Sequence, residues 1–439
     1  MNISKVDRFS RRQILGATLA GGVSFVTGCR QSVPEGQPPA PQAEREKVPL
    51  RVVYAGEISD LQVIERGWGS ISDHPLEIKS LPLTRVELGA VDSDLTSECV
   101  RCDVAIVPLS LLPALRRADV IVPLSGGLVD NANRDMGPLY PAVRNGAALF
   151  AGEMICMPLG AMQPCLVASD PVSPLGSWED YDELVQSWGG LAAEPTGLGW
   201  AAGSFLARCV EQEQWLFDGG NLQPLLTNAS YVDALKLMVQ TCGRYQAKDL
   251  NPAEIWESVA NGSLKGGIAF PTGSLISDAN LTVQQLPGKH QPEKILLDSF
   301  SPVGVLSAMC RQTAIARQFM LWISGGDGSE SVRSQIAGMG SVRRLNGLIR
   351  ESDSTTLEST YQRFLFERLN QPVTLPTLQI LESQQYINVL DQQVRLAIQG
   401  DVQPAESLVE ASRQWNAITD QVGREEQMKV WKRLNGMIA

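Results

Sequence analysis

Leu50-Arg51-Val52-Val53-Tyr54-Ala55-Gly56 is the stretch from which the architecture can be read. Its apolar, β-branched run predicts a short strand, and Ala55-Gly56 ends it. Leu61, Ile64, Glu65 and Trp68 then recur at helical spacing, and Leu76-Glu77-Ile78 predicts a second strand. Asp103-Val104-Ala105-Ile106-Val107 predicts a third, stopped by Pro108-Leu109-Ser110. Strand, helix and strand in that rhythm predict an α/β fold with a parallel sheet and crossover helices. Ligands in such sheets sit off the carboxyl ends of the strands, which here are residues 56–59 and 108–110.

Upstream, Ser10-Arg11-Arg12-Gln13-Ile14-Leu15 has the form of a paired-arginine export signal. The apolar run over 14–26 is too short to span a bilayer comfortably and ends in small residues. Val26-Thr27-Gly28-Cys29 resembles a lipobox, so cleavage is expected before Cys29, whose thiol then carries lipid. Residues 1–28 are therefore expected to be a signal peptide, and the protein to be periplasmic or extracytoplasmic and tethered to a membrane. Residues 29–48 contain a Pro-, Gln- and Glu-rich spacer without apolar periodicity.

Loss of the signal removes Lys5, Arg8, Arg11, Arg12 and Asp7, taking the formal charge from -11 to about -14. A surface this acidic argues against nucleic acid as a partner, because phosphate binding needs a Lys/Arg patch. Apolar residues make up 44% of the chain, enough for a large core, and the length suggests two lobes. Eight cysteines are present, seven of them after Cys29. Their spacing is irregular, and Cys156, Cys165 and Cys209 sit in apolar segments, so they read as small buried hydrophobes. Cys99-Val100-Arg101-Cys102 leads into a strand, whereas a redox pair is expected at a helix start. With only His74 and His290, and no second Cys-x-x-Cys, no metal site is expected.

Further along, 150–160 predicts a β-hairpin and loop, and Cys165-Leu166-Val167-Ala168 a strand. Ser177 is the expected N-cap of a helix with Glu179 and Asp180 in its first turn. Helices are expected from Ala201 to about Gln214, over 230–245 and over 253–261, ahead of the strand Gly267-Ile268-Ala269-Phe270. From 357 to 437 the pattern is almost wholly amphipathic helix, with Gly400 closing one of them. No nucleophile elbow, phosphate loop, His-Glu-x-x-His or dinucleotide fingerprint occurs, so binding rather than catalysis is expected and no cofactor is implied.

From about residue 50 onward the chain resembles the family 1 bacterial extracellular solute-binding proteins, receptors of ABC importers. The segments that carry the likeness are ordered as in that family. They are Asp103–Pro108 with Val122-Pro123-Leu124; Met157-Pro158-Leu159-Gly160 with Leu166-Val167-Ala168; and Ser177-Trp178-Glu179-Asp180-Tyr181. Trp256-x-x-Val259-x-x-Gly262 follows, then Pro302-Val303-Gly304-Val305-Leu306-Ser307 with Ala316-x-x-Phe319-x-x-Trp322. Val394-x-x-Ala397-Ile398-x-Gly400 with Ala405-Glu406-Ser407-Leu408 closes the series. Ala168-Ser169-Asp170 departs from the family's Asn-Lys/Arg-Asp step.

The resemblance implies a type II periplasmic-binding fold, two hinge-linked α/β lobes each built on a mixed sheet flanked by helices. It places lobe 1 at 49–165 and 305–345, and lobe 2 at 166–304 and 346–439, with crossovers near 165–169, 299–306 and 343–357. It implies a monomer that captures a small solute, most readily a carbohydrate, and delivers it to the transmembrane permease subunits of an ABC importer. The cleft residues that follow are Glu57, Ser59, Pro108 and Ser110 from the first strand ends, and Met162 and Gln163 from the crossover. Trp200 is the aromatic candidate for a sugar's CH face, against a role as a hydrophobic staple for the next helix. Thr272, Ser274, Arg343, Gln385 and Tyr386 complete the set; Tyr386 also shares helical spacing with Val389 and Leu390, which suits a core position. An orphan two-lobe receptor or envelope interaction protein, and an exported cofactor-bearing enzyme, remain the alternatives.

Overall fold

The structure, a computed structural model, describes residues 47–83, 85, 92–150, 152–272, 281–288, 294–344, 360–375 and 377–434. Arg11, Arg12, Cys29, Ser274, His290 and most of the 343–357 crossover lie outside them. The first apolar run is β1 (Leu50–Tyr54), followed by helix α1 (Ile58–Ile71), β2 (Leu76–Ser80), α2 (Asp92–Arg101) and β3 (Val104–Pro108). Both neighbours of β1 are parallel, with Val52 opposite Ile78 on one side and Val104 on the other. Every residue of β3 is buried, which is why it reads as unbroken apolar sequence, whereas β2 alternates as an edge strand does. Helix α3 (Leu112–Arg117) leads from β3 to β4 (Ile121–Val122), and helices α4 (Gly126–Met136) and α5 (Pro141–Val143) separate β4 from the hairpin β5 (Leu149–Phe150) and β6 (Glu153–Met154).

After β7 (Met157–Pro158) the chain passes through 159–164 to a second sheet. This comprises β8 (Cys165–Ala168), β9 (Ala192–Ala193), β10 (Gly266–Ala269) and β11 (Thr282–Gln284) in the order β11-β8-β10-β9. Helices α6 (Trp178–Ser187), α7 (Ala201–Arg208), α8 (Ala229–Arg244) and α9 (Pro252–Ala260) connect these strands. Ser177 caps α6 as expected, its Oγ accepting from the Asp180 amide at 3.1 Å. The chain leaves through β12 (Lys294–Leu296) and returns as β13 (Pro302–Ser307), antiparallel between β3 and β4. The first sheet thus has the order β2-β1-β3-β13-β4, and the protein is a two-lobe α/β structure. Helices α10 (Thr313–Ile323) and α11 (Glu330–Arg333) cover this sheet. There Trp68 of α1 meets Phe319 and Trp322 at 5.3 and 5.5 Å.

The C-terminal region supplies α12 (Thr360–Leu369), α13 (Ser383–Gln399), α14 (Pro404–Val422) and α15 (Arg424–Leu434). Gly400 ends α13 at φ 84°, a left-handed position that a side chain resists. Two expectations need correcting. The 357–437 stretch is interrupted by a strand, β14 (Val373–Leu375), which pairs parallel with β12. Pro372 and Pro376 punctuate it, and β-branched Val373 and Thr374 favour extended backbone. Helix α7 also ends at Arg208 rather than near Gln214, because the chain turns to bring Phe217 into the aromatic cluster of Tyr386, Trp415 and Trp431.

Cys99, Cys102, Cys156, Cys165, Cys209 and Cys242 are buried and Cys310 is half-buried, all as free thiols. Cys99 lies near the C-terminal end of α2, not at a helix start, and Cys102 follows that end. The Cys102 thiol is pushed up by its hydrogen bond to Cys99 and by burial, the reverse of an activated thiolate. Among the described residues no helix is long and apolar enough to cross a membrane, and no group of His, Cys, Asp and Glu could hold a metal ion.

Asp103 fastens three segments at the start of β3. Its carboxylate accepts from the Arg51 amide at 3.1 Å, the Arg51 guanidinium at 3.2 Å and the Arg311 amide at 2.9 Å. Burial alone would raise its pKa, but these donors outweigh burial and hold it below the usual carboxylate range. A carboxyl with a lowered folded pKa stabilises fully above its unfolded value, and that contribution disappears as pH falls through the folded value. Between pH 7 and pH 3 the urea midpoint of Asp103→Asn is therefore expected to fall less steeply than that of the wild type. Equal slopes would contradict this assignment.

Candidate binding site

Residues 197–200 and the start of α7 form a turn that is held from outside. Asp391, on α13, accepts from the Gly199 amide at 3.0 Å and the Ala202 amide at 3.2 Å, doing for α7 what an N-cap side chain does. Burial pushes the Asp391 carboxyl up, against the pull of these two amides. Gly199 is at φ 82°, and a Cβ there would sit 2.7 Å from Cβ of Arg85. The turn presents Trp200 to Arg85, which follows β2. The Arg85 guanidinium lies 3.4 Å from the centre of the Trp200 ring and 4.2 Å from that of Phe300. Arg85 also makes a forked pair with Asp298, and its carbonyl accepts from Gln384 Nε2. Trp200 meets Phe270, just past β10, with ring centres 5.8 Å apart.

These groups border a cavity of about 600 Å³ beside both chain passages between the sheets. Met162 and Gln163 line it from the first passage, and Lys294 with residues 296–300 from the second. Gln163 is anchored twice by Tyr361, whose hydroxyl accepts from the Gln163 amide at 3.0 Å and donates to its carbonyl at 2.9 Å. Because Asp391 sets the turn that carries Trp200, Asp391→Ala is expected to cost about 1–2 kcal/mol of stability. It is also expected to lower ligand affinity. Chemical denaturation and a binding isotherm read the two effects, and an unchanged midpoint would contradict the capping role.

The structure thus brings Met162, Gln163 and Trp200 together, and places the other candidates that fall among the described residues elsewhere. Tyr386 is fully buried between α13, α14 and α15: its hydroxyl is 2.8 Å from Thr419 Oγ1 and accepts from Gln427 Nε2 at 3.1 Å. Its helical spacing with Leu390 was a core signal and not a cleft signal. Arg343 is also buried, donating to the Gly137 carbonyl at 2.8 Å and to Asn133. Burial and the charge of Arg333 lower its pKa to about 10. It ties together loops beside the first sheet and does not line the cavity. Glu57 and Ser59 are exposed at the start of α1, outside the cavity lining.

Pro108 and Ser110 are buried at the end of β3, where the Ser110 carbonyl accepts from Ser383 Oγ at 2.9 Å. Gln385 donates to Glu382 at 2.9 Å, and half-buried Thr272 stays off the cavity wall. Sequence reasoning missed Arg85, Phe270, Asp298, Phe300, Thr377 and Asp391. Phe270 ends a recognised strand and so carried a positional signal; the pairing of Arg85 with Asp298 spans 213 residues and carried none.

No sequence-family model and no curated protein matches the chain. Solved structures do resemble it. An ABC transporter solute-binding protein from Agrobacterium vitis S4 with bound D-mannitol superposes with a TM-score of 0.65 at 13% identity, covering 85% of this chain and 99% of that one. The sugar-binding protein MalE from Xanthomonas citri gives 0.63 at 13% identity, covering 85% and 98%. A solute-binding protein from Agrobacterium radiobacter K84 in complex with ribitol gives 0.66 at 15% identity, covering 84% and 98%. At these identities the likeness is one of fold, and over most of its length the chain has the two-lobe α/β fold of these solute-binding proteins.

Proposed function

We propose that this chain is the receptor of an ABC importer, capturing a small carbohydrate-class solute between its lobes and delivering it to the permease. The observation that carries the reading is the cavity beside the two inter-sheet passages, with Trp200 on its wall and groups from both sheets' surroundings at its edge. Lobe 1 would comprise 49–165 with 305–345, and lobe 2 166–304 with 346–439. A solute touching both shifts the open–closed equilibrium, because only the closed state makes both sets of contacts. Arg11, Arg12 and Cys29 support export by the twin-arginine route and lipid attachment outside the cytoplasm, with the body acting as a monomer. The reading is non-catalytic.

A thermal-shift screen against sugars, polyols, amino acids, oxyanions and metal ions tests it. A ligand at 100 times its dissociation constant adds about 2.7 kcal/mol of stability. A carbohydrate-class solute is expected to raise the melting temperature of the wild type, and Trp200→Ala is expected to lose most of that shift. A flat response from folded protein would favour an orphan receptor, and a shift from metal alone an enzyme.

A further inference from the structure

Arg85 already occupies the place where a bound ring would stack. Its guanidinium covers one face of Trp200 and approaches the face of Phe300, while Asp298 takes its donors. A sugar ring held through its CH surface needs such an aromatic face. Displacing Arg85 would forfeit two cation–π contacts and an ion pair together.

The rest of the wall is chiefly aliphatic: Leu206, Val210, Leu216, Leu296, Leu378 and Ile387 all face the cavity. Several polar groups on it already hold protein partners. Ser204 Oγ donates to the Pro195 carbonyl at 2.6 Å, Gln163 Nε2 to the Met162 carbonyl at 3.1 Å, and Lys294 Nζ to the Gln212 carbonyl at 3.0 Å. Thr377, 2% exposed, lines the same cavity with an Oγ1 that has no partner. Hydroxyls buried against the aliphatic wall would lose water without replacement, whereas carbon placed there is rewarded.

We propose that the solute is a carbohydrate bearing an apolar substituent larger than methyl, aryl or longer-chain alkyl, rather than a bare sugar or polyol. The substituent lies along the aliphatic wall. The polar part meets the Arg85–Asp298 pair edge-on, and Thr377 Oγ1 is a further hydrogen-bonding point. The inference rests on the receptor reading and narrows its solute class.

Calorimetric titration of the full chain with glucose, mannitol, methyl β-glucoside and phenyl β-glucoside tests it. Phenyl β-glucoside is expected to bind at least tenfold more tightly than the other three, a difference of 1.4 kcal/mol. Val210→Ser, at a half-buried wall position, is expected to cut that advantage below threefold with the circular dichroism spectrum unchanged. Should that variant fail to fold, Leu296→Ala at another half-buried wall position takes its place. Glucose or mannitol binding as tightly as phenyl β-glucoside would overturn the proposal and leave the receptor reading standing. No binding by any of the four, with a flat response to the wider sugar and polyol screen, would overturn both.

Discussion

Glu194→Gln is expected to lower the stability of the chain by about 3–5 kcal/mol, read as a shift of the urea unfolding midpoint. Glu194 follows β9 and pairs with Arg208 at the end of α7. Arg208 Nη2 and Nε donate to the two carboxylate oxygens at 2.8 and 3.2 Å, and both side chains are only 1% exposed. The same carboxylate faces the Cys242 thiol at 3.1 Å and the Tyr245 hydroxyl at 3.3 Å. The face of the guanidinium lies 4.2 Å from the Trp178 ring centre, which leaves it little access to solvent. Glutamine keeps the shape but removes the charge, leaving a buried cation that cannot neutralise itself. Replacing both partners with apolar residues of similar volume should recover much of the loss, because the pair's cost is chiefly desolvation. A loss below about 1 kcal/mol for the single change would mean that water reaches the pair.

Trp415→Ala is expected to cost a similar amount, about 3–5 kcal/mol, by cavity formation. Trp415 is fully buried on α14, stacked on Phe217 at 5.2 Å and edge-on to Tyr386 at 5.5 Å. Its Nε1 donates to the Tyr386 carbonyl at 2.8 Å, so truncation removes ring contacts and a hydrogen bond together. This cluster joins the 209–217 turn to α13, α14 and α15, and Phe217 also meets Trp431 at 5.2 Å. Denaturant midpoints of Trp415→Ala and Trp415→Phe check the mechanism. Phenylalanine should retain more than half of the stability lost to alanine, and equal losses would point to the hydrogen bond instead.

The elements that could be read from sequence were those whose signal is local. The unbroken apolar run of β3, the Ile64 and Trp68 stripe of α1 and the Ser177 cap each declare themselves within a few residues. β14 did not, because three residues between prolines gain strand character only by pairing with β12, some eighty positions away. The cavity divides the same way. Trp200 announced itself as an aromatic in a glycine turn, but Asp391, which holds that turn, reaches it across 192 residues. Tyr386 and Arg343 were misplaced for a related reason. An aromatic or a cation looks the same in sequence whether it faces a cleft or a core, and only long-range partners distinguish the two.

Calorimetric titration of the best stabilising solute into the wild type and into Trp200→Ala tests most directly whether the solute binds in this cavity. One site per chain is expected, with affinity reduced by about 2 kcal/mol or more in the variant, roughly thirtyfold. Equal affinity in both proteins would place the solute elsewhere and contradict the assignment of this cavity as the binding site.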